Sequence, residues 1–397
     1  MNIDQLISVN KTVWKNYLNR ISKLRLENGL MLFPKILLIT EVNNFFIIEL
    51  LGATKSFEEI VVKKHKATNV ESYLFQFNYD EKIQPKDTNE IDTFGITRIL
   101  FGSLIEEEMI RTRFSFQNRW GSGIVTSHED LSASSFFNFS KGINFMEFND
   151  CCIVNKLENV YRLKSIIHLH VVSKKITKPN YKKYLLNTLT NEIVSTNDVK
   201  GALFSDSIDV ETNILYSQFL NIYSFSSLRE TTIGEFLNKN PSILKKAFDL
   251  KSFEYEPELE WLEGNPEEDE NSINPDFLIQ RDDGYWDILD IKLPYWSKQK
   301  LTKSKRKRRS FLQIVDDAIS QLANYEDYFN FDKNKLLAEK KYGVKINNPK
   351  LIIVIGNYNN YDKTEIQEAS RKLKDNFMII DYDTLNLKFY NSSINFA

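Results

Sequence analysis

The sequence has few of the residues that build disulfide frameworks and zinc sites. Its 397 residues include two cysteines and four histidines. The cysteines, Cys151 and Cys152, are adjacent. Neighbouring cysteines rarely form a useful disulfide, so we expect a reducing, cytoplasmic compartment. His168 and His170 share one face of a predicted strand, but their spacing from the cysteines fits no zinc-binding pattern. Packing or surface roles are the favoured interpretation of all four histidines.

Long apolar runs, a signal-peptide pattern and a strong net charge are also absent. No apolar run reaches the roughly 18 residues of a membrane span, and the first residues lack a signal-peptide pattern. We therefore expect a soluble chain with no membrane partner. The net charge of −2 gives no general attraction to nucleic acid, so such binding must come from local charge. The sequence contains neither a glycine-rich phosphate loop nor a Gly-x-Ser-x-Gly elbow.

Length and periodicity predict two domains. A chain of 397 residues is long for a single core. Residues 1–225 combine a helix at the start and another near 213–228 with strands that suggest an antiparallel meander, so we predict an α+β domain. Residues 226–397 alternate helices and strands, which is typical of an α/β fold. The strands predicted in the first domain are 31–42, 45–51, 58–64, 73–77, 152–154 and 161–173.

The most informative stretch is 274–294, NPDFLIQRDDGYWDILDIKLP. Two predicted strands, 277–280 and 285–291, flank an Asp-Asp-Gly turn, which predicts a β-hairpin. Asp290 and Lys292 are two residues apart, so they share a face, and that face also carries Trp286 and Ile288. Asp276 lies at the start of the partner strand.

Two carboxylates and an ammonium at one end of a hairpin form a candidate site for a hard cation. The oxygens of Asp276 and Asp290 suit Mg²⁺ or Mn²⁺. A metal there can polarise a phosphodiester and acidify a bound water, while Lys292 orients that water or offsets negative charge. The alternative is a surface hairpin with an ion pair. Charges on an apolar face need a metal or partners, which favours a site.

The pattern Pro-Asp…Asp-x-Lys resembles the PD-(D/E)xK nuclease motif. A longer ordered set of segments resembles the nuclease domain of Shedu anti-phage defence proteins. One difference is Asp290, where Shedu-like domains usually carry glutamate. The segments are FLNKNPSIL (236–244), NPDFLI (274–279), LDIKLP (289–294), AISQLANY (318–325), LIIVIGNY (351–358) and DYDTL (381–385).

This resemblance implies a metal-dependent DNA endonuclease with a restriction-endonuclease-like mixed sheet flanked by helices, acting in anti-phage defence. It implies that Asp276 and Asp290 hold Mg²⁺ or Mn²⁺ and that Lys292 lies at the attacking water. It also implies a homo-oligomer in which residues 1–225 sense, regulate or assemble, in response to a phage-derived trigger. Two alternatives remain: another PD-(D/E)xK nuclease, such as a restriction or transposon-end enzyme, and an inactive nuclease fold that binds DNA.

The resemblance also implies three accessory residues. Gln321 and Tyr325 are four apart on a predicted helix, 311–329, and so lie on one side. They match the Gln-xxx-Tyr pattern of RecB-type nucleases, in which the glutamine lines the site and the tyrosine approaches nucleic acid. Glu235, on the first helix of the domain, would be an additional acid in the site. Glu258 and Glu260, in an acidic run, are alternatives to it.

A strongly basic segment follows the hairpin. Residues 298–309, KQKLTKSKRKRR, contain eight basic side chains in 12 positions. This segment leaves the candidate site, so we predict phosphate contacts and strongly salt-dependent binding. A solvated loop is the alternative. The predicted contacts are Lys305, Arg306, Lys307, Arg308 and Arg309. Beyond the 311–329 helix, the sequence predicts a mobile polar insertion at 333–348, strands at 351–355 and 377–381, and a helix at 362–375.

Overall fold

A computed structural model describes residues 1–24, 30–67, 70, 73, 124–125, 145–157, 160–189, 199–205, 208–265, 271–295, 300–305 and 308–393. The chain forms two compact units, Met1–Ser227 and Leu228–Ala397. The sequence places the boundary at residues 225/226. Within the described ranges, no helix combines the length and apolar character needed to cross a membrane.

The N-terminal unit is built on a mixed sheet. Its strands are β1 (Leu30–Leu32), β2 (Ile36–Glu41), β3 (Phe45–Leu51), β4 (Val61–Lys66), β5 (Ile124–Val125), β6 (Phe145–Leu157), β7 (Val160–Ser173) and β8 (Leu203–Ser205). Six of them follow the order β4-β2-β3-β7-β6-β5, and β1 pairs with β8. The predicted meander is wrong at β4, which pairs parallel with β2. A parallel neighbour requires a crossover, which a strand-by-strand periodicity does not reveal. Of the predicted strand 73–77, residues 74–77 lie outside the described residues.

Helices α1 (Ile3–Ile21), α2 (Lys178–Leu189) and α3 (Ile208–Tyr223) complete this unit. His168 and His170 pack in its core, as expected, His65 is half-buried, and His128 lies outside the described residues. His168 Nε2 lies 3.1 Å from His170 Nδ1, and His170 Nε2 lies 2.6 Å from the Tyr181 hydroxyl. Burial lowers the pKa of His168 to about 3, so this histidine is neutral at physiological pH.

The C-terminal unit contains a five-stranded mixed sheet. The strands of this unit are β9 (Phe253–Tyr255), β10 (Leu259–Glu260), β11 (Ser272–Ile273), β12 (Phe277–Gln280), β13 (Trp286–Ile291), β14 (Thr302–Lys305), β15 (Arg308–Phe311), β16 (Leu351–Val354) and β17 (Phe377–Ile380). Strands β10 and β11 form a separate pair, as do β14 and β15. The sheet order is β17-β16-β13-β12-β9. Strands β13, β16 and β17 run parallel, whereas β12 is antiparallel to both of its neighbours. The predicted 277–280/285–291 hairpin is confirmed as β12–β13.

Helices flank this sheet, which is compatible with the predicted α/β class. They are α4 (Glu230–Lys239), α5 (Ser242–Phe248), α6 (Gln313–Tyr328), α7 (Asp332–Tyr342), α8 (Lys363–Ser370) and α9 (Tyr382–Ser393). The apolar stripe of α6 packs with Ile288 in one core cluster. A methyl group built on Gly234 of α4 would lie 3.5 Å from Ile291. Since Ile288 and Ile291 point to opposite faces of β13, helices cover both faces.

Two polar stretches form secondary structure that the sequence analysis did not predict. The insertion predicted at 333–348 contains α7. Asn334 is buried there, accepts from the Leu262 N–H at 2.9 Å and donates to the Tyr328 carbonyl at 3.1 Å. Its buried face includes a polar residue, so hydrophobic periodicity misses this helix. The basic segment likewise forms the antiparallel pair β14–β15.

Candidate active site

The hairpin register brings the two predicted carboxyl groups together. Phe277 of β12 is paired with Leu289 of β13, so the preceding Asp276 lies across from Asp290. Lys292 directly follows β13. Because β13, β16 and β17 run parallel, their carboxyl ends meet at the same edge of the sheet. The three predicted residues therefore lie at that edge.

Each carboxyl group has a defined partner. The backbone N–H of Ile291 donates to Asp276 Oδ2 at 2.7 Å. Lys292 Nζ lies 2.6 Å from Asp290 Oδ2, and the Asp290 side chain is only 2% exposed. Asp276 and Asp290 also hydrogen-bond to each other. The hairpin therefore holds one amine and two carboxyl groups close together, with Asp290 buried and Asp276 and Lys292 half-buried.

The pKa values follow from this burial. Burial, followed by the charge of Asp290, raises the pKa of Asp276 to about 8. Burial also raises the pKa of Asp290, against the opposing charge of Lys292. For Lys292, burial lowers the pKa, but the two carboxylates outweigh it and the net pKa is raised. Without a cation at the site, the Asp276 carboxyl group therefore keeps its proton at neutral pH, while Lys292 stays charged.

Buried amides fix the segment that follows Lys292. Asn357 and Asn360, just beyond β16, donate to the Pro294 carbonyl at 2.7 and 2.9 Å. The hydroxyl of buried Tyr382 donates to the Lys292 carbonyl at 2.7 Å. These bonds anchor the backbone on which the Lys292 side chain stands. Sequence analysis did not predict these three residues, although the asparagines follow the predicted strand 351–355.

Two acids of α4 occupy different places. Glu230 Oε1 accepts from the Leu293 N–H at 3.0 Å, and its charge helps to raise the pKa of Lys292. The predicted Glu235 lies further along the helix, where its charge contributes to the raised pKa of Tyr255. The described contacts thus place Glu230 at the Lys292 end of the hairpin. Helix spacing alone did not distinguish these two glutamates.

Gln321 and Tyr325 are hydrogen-bonded to each other. Gln321 Nε2 donates to the Tyr325 hydroxyl at 2.6 Å, and that hydroxyl lies 3.3 Å from the Asn274 carbonyl. Gln321 is exposed, but Tyr325 is buried within the core between α6 and the sheet. The prediction that Tyr325 approaches nucleic acid does not fit this burial. Its hydroxyl instead contacts the segment leading to Asp276.

The basic residues predicted to contact phosphate differ in their exposure to solvent. Arg308 of β15 is exposed. Arg309 turns inward and pairs with Glu365 at 2.9 Å and with Glu368 at 3.0 Å, and its predicted phosphate contact stays a prediction. The side chain of Lys305 and the residues 306 and 307 lie outside the described part of the structure, so the predictions for Lys305, Arg306 and Lys307 stay predictions.

The donor set fits one kind of metal. In the ranges that the structure describes, no group of three or more His, Cys, Asp or Glu side chains is arranged to hold an ion. Asp276 and Asp290 supply two adjacent carboxyl groups. Mg²⁺ commonly takes one or two carboxylates and completes its shell with waters and substrate phosphates. The pair therefore fits such an ion and does not fit a caged structural metal.

Comparison with known protein families gives a match in the C-terminal part of the chain. The family model described as Shedu protein SduA, C-terminal, matches residues 227–386. This range covers most of the C-terminal unit and includes the complete hairpin. No curated protein matches the chain.

Proposed function

We propose, from a C-terminal unit that belongs to the Shedu SduA C-terminal family, that this protein is a metal-dependent DNA endonuclease of anti-phage defence. The family membership supports the defence role. The observation that carries the nuclease is the pairing of half-buried Asp276 with buried Asp290 beside Lys292. The mixed sheet and its flanking helices agree with a PD-(D/E)xK nuclease fold.

The hairpin residues divide the chemistry between them. Asp276 and Asp290 would hold Mg²⁺ or Mn²⁺ in place of the proton on Asp276. The metal supplies Lewis-acid activation of the phosphodiester and an acidified water. Lys292 stays charged and lies beside Asp290, where it orients the attacking water and offsets the negative charge that develops on the phosphate. Hydrogen bonds from Tyr382, Asn357 and Asn360 fix the backbone at and just after Lys292.

The acid at the helix start adds to this arrangement. Glu230 faces the end of β13 and favours the charged form of Lys292. Its backbone bond to Leu293 joins α4 to the strand that carries the site. We propose Glu230 as the acid of α4 that completes the site, in the place that sequence analysis gave to Glu235. Gln321 stays a candidate through its contact with Tyr325.

Residues outside the hairpin complete the proposal. DNA is the proposed substrate, and the chain acts as a homo-oligomer. The N-terminal unit senses, regulates or assembles, with a phage-derived trigger as its input. These assignments rest on the family and on the division of the chain into two units.

Cleavage of plasmid and linear duplex DNA tests the activity. Purified full-length protein is compared in Mg²⁺, Mn²⁺ and EDTA, beside Lys292→Met and the control Lys350→Met. Lys350 is exposed just before β16, so its removal changes the same charge away from the site. We expect metal-dependent cutting in the wild type and in the control, and loss of cutting in Lys292→Met with folding intact. Equal cutting by Lys292→Met would refute the assignment of this residue.

A further inference from the structure

The pair β14–β15 is a ribbon with two different faces. Its register pairs Thr302 with Phe311 and Lys303 with Ser310. Thr302 and Phe311 are buried, whereas Lys303 and Ser310 are exposed. Arg308 is also exposed, and its position beside Arg309 places it on the outward face. The strand alternation therefore separates the basic residues into an inward and an outward row.

Thr302 and Arg309, on the inward face of the ribbon, are both bound to Glu365 of α8. Glu365 accepts from Thr302 Oγ1 at 2.7 Å and lies 2.9 Å from Arg309 Nη1 and 2.6 Å from Lys300 Nζ. The hydrogen bond from Lys300, then that from Thr302, lowers the pKa of Glu365. Glu368 receives a second bond from Arg309. The inward charges are thus paired within the unit.

The ribbon stands at the same edge of the sheet as the candidate active site. The Leu301 N–H donates to the Asn360 carbonyl at 3.2 Å, and the Leu312 N–H donates to the Leu301 carbonyl at 2.9 Å. The Asn360 side chain in turn donates to the Pro294 carbonyl, two residues beyond Lys292. A continuous set of hydrogen bonds therefore links the base of the ribbon to the backbone of the site.

We propose that the outward row, Lys303 and Arg308, contacts the phosphate backbone of duplex DNA beside the site, and that Glu365 positions the ribbon for this contact. The inference rests on the proposed DNA substrate and assigns the contacts on this surface. A two-stranded ribbon fits the major groove of duplex DNA. Exposed Lys and Arg side chains bind phosphates and release counterions. Lys300 and Arg309 anchor the ribbon through Glu365.

Salt-dependent binding tests the outward row. Affinity for a short duplex is measured in EDTA, which separates binding from cleavage, for wild type and for Lys303→Gln/Arg308→Gln. The matched control is Lys333→Gln/Lys340→Gln, which makes the same charge change on α7. We expect the ribbon variant to bind at least about 10-fold more weakly near 0.1 M salt, with a log–log salt slope smaller by about 1.8. The control should bind like the wild type.

The variant Glu365→Gln tests whether Glu365 positions the ribbon. Removing a negative charge near a DNA-binding surface should by simple electrostatics strengthen binding. Glu365→Gln should instead weaken duplex binding by about threefold or more, because three bonds that fix the ribbon are weakened. Asp332→Asn, an exposed acid of α7, is the matched control. Tighter binding by Glu365→Gln would overturn the positioning role.

The outcomes separate this inference from the proposed function. Wild-type binding that the ribbon variant matches would overturn the outward-row contacts and leave the nuclease assignment intact. Absence of duplex binding together with absence of cutting in the wild type would overturn both. Weakened binding in the ribbon variant alone would support the inference even where cutting requires a trigger.

Discussion

Replacing Asp276 with asparagine should remove a pH-dependent loss of stability. Burial and the charge of Asp290 raise the pKa of Asp276 from 3.8 to about 8. Between these values the folded protein keeps a proton that the unfolded chain releases. The free energy of unfolding therefore falls as the pH rises through this window. The stability that protonated Asp276 contributes is fully present only below the unfolded-state pKa of 3.8.

The size of this change in the free energy of unfolding follows from the one proton that folded Asp276 keeps. The free energy of unfolding falls by about 1.4 kcal/mol per pH unit, which amounts to at most about 6 kcal/mol across the window. Asp276→Asn keeps an oxygen for the Ile291 N–H and an amide that can donate to Asp290. The variant should therefore lose the slope and keep the local geometry.

Urea unfolding in EDTA measures this difference. The full-length wild type and Asp276→Asn are compared between about pH 5 and pH 8. We expect the wild type to lose stability relative to the variant as the pH rises. Saturating Mg²⁺ should reduce this loss, because the cation replaces the proton. Asp332→Asn controls for the loss of an exposed aspartate. A difference between wild type and Asp276→Asn that is independent of pH would refute the raised pKa of Asp276.

Two further changes test the surroundings of the site. Gly356→Ala should lower the free energy of unfolding by about 1–3 kcal/mol, because its φ is 83° and the new methyl would lie 2.6 Å from Leu301. Gly343→Ala, at φ 70° with nothing within 4 Å, should cost only about 1 kcal/mol; equal losses in urea unfolding would refute the packing argument. Tyr382→Phe should cost about 1 kcal/mol and slow cleavage several-fold with unchanged duplex affinity, because the bond to the Lys292 carbonyl is lost; an unchanged cleavage rate would contradict its positioning role.

Local patterns were sufficient to predict the hairpin. Alternation in 285–291 and the glycine of its turn fix β12 and β13, and Gly284 takes a φ of 88°. Once the two strands pair around that turn, the meeting of Asp276 and Asp290 follows from the register. The α6 helix was predicted for the same reason, since its apolar stripe has a helical period.

Contacts between distant segments were not predictable from local patterns. The choice between Glu230 and Glu235 depends on which glutamate meets the end of β13, about 60 residues away, and helix spacing contains no such information. The inward turn of Arg309 depends on Glu365 of a later helix. Tyr325 belonged to the apolar stripe of α6, so the signal for its burial was already in the sequence.

The central claim is most directly tested by metal binding, which needs no activating trigger. Calorimetric titration of Mn²⁺ into full-length protein compares wild type with Asp290→Asn. Asp287→Asn is the control, because Asp287 is a buried acid of the same strand that pairs with Arg281 at 2.8 Å. The account predicts saturable binding with proton release near neutral pH in the wild type and in the control, and loss of this binding in Asp290→Asn. Identical titrations for wild type and Asp290→Asn would contradict the account.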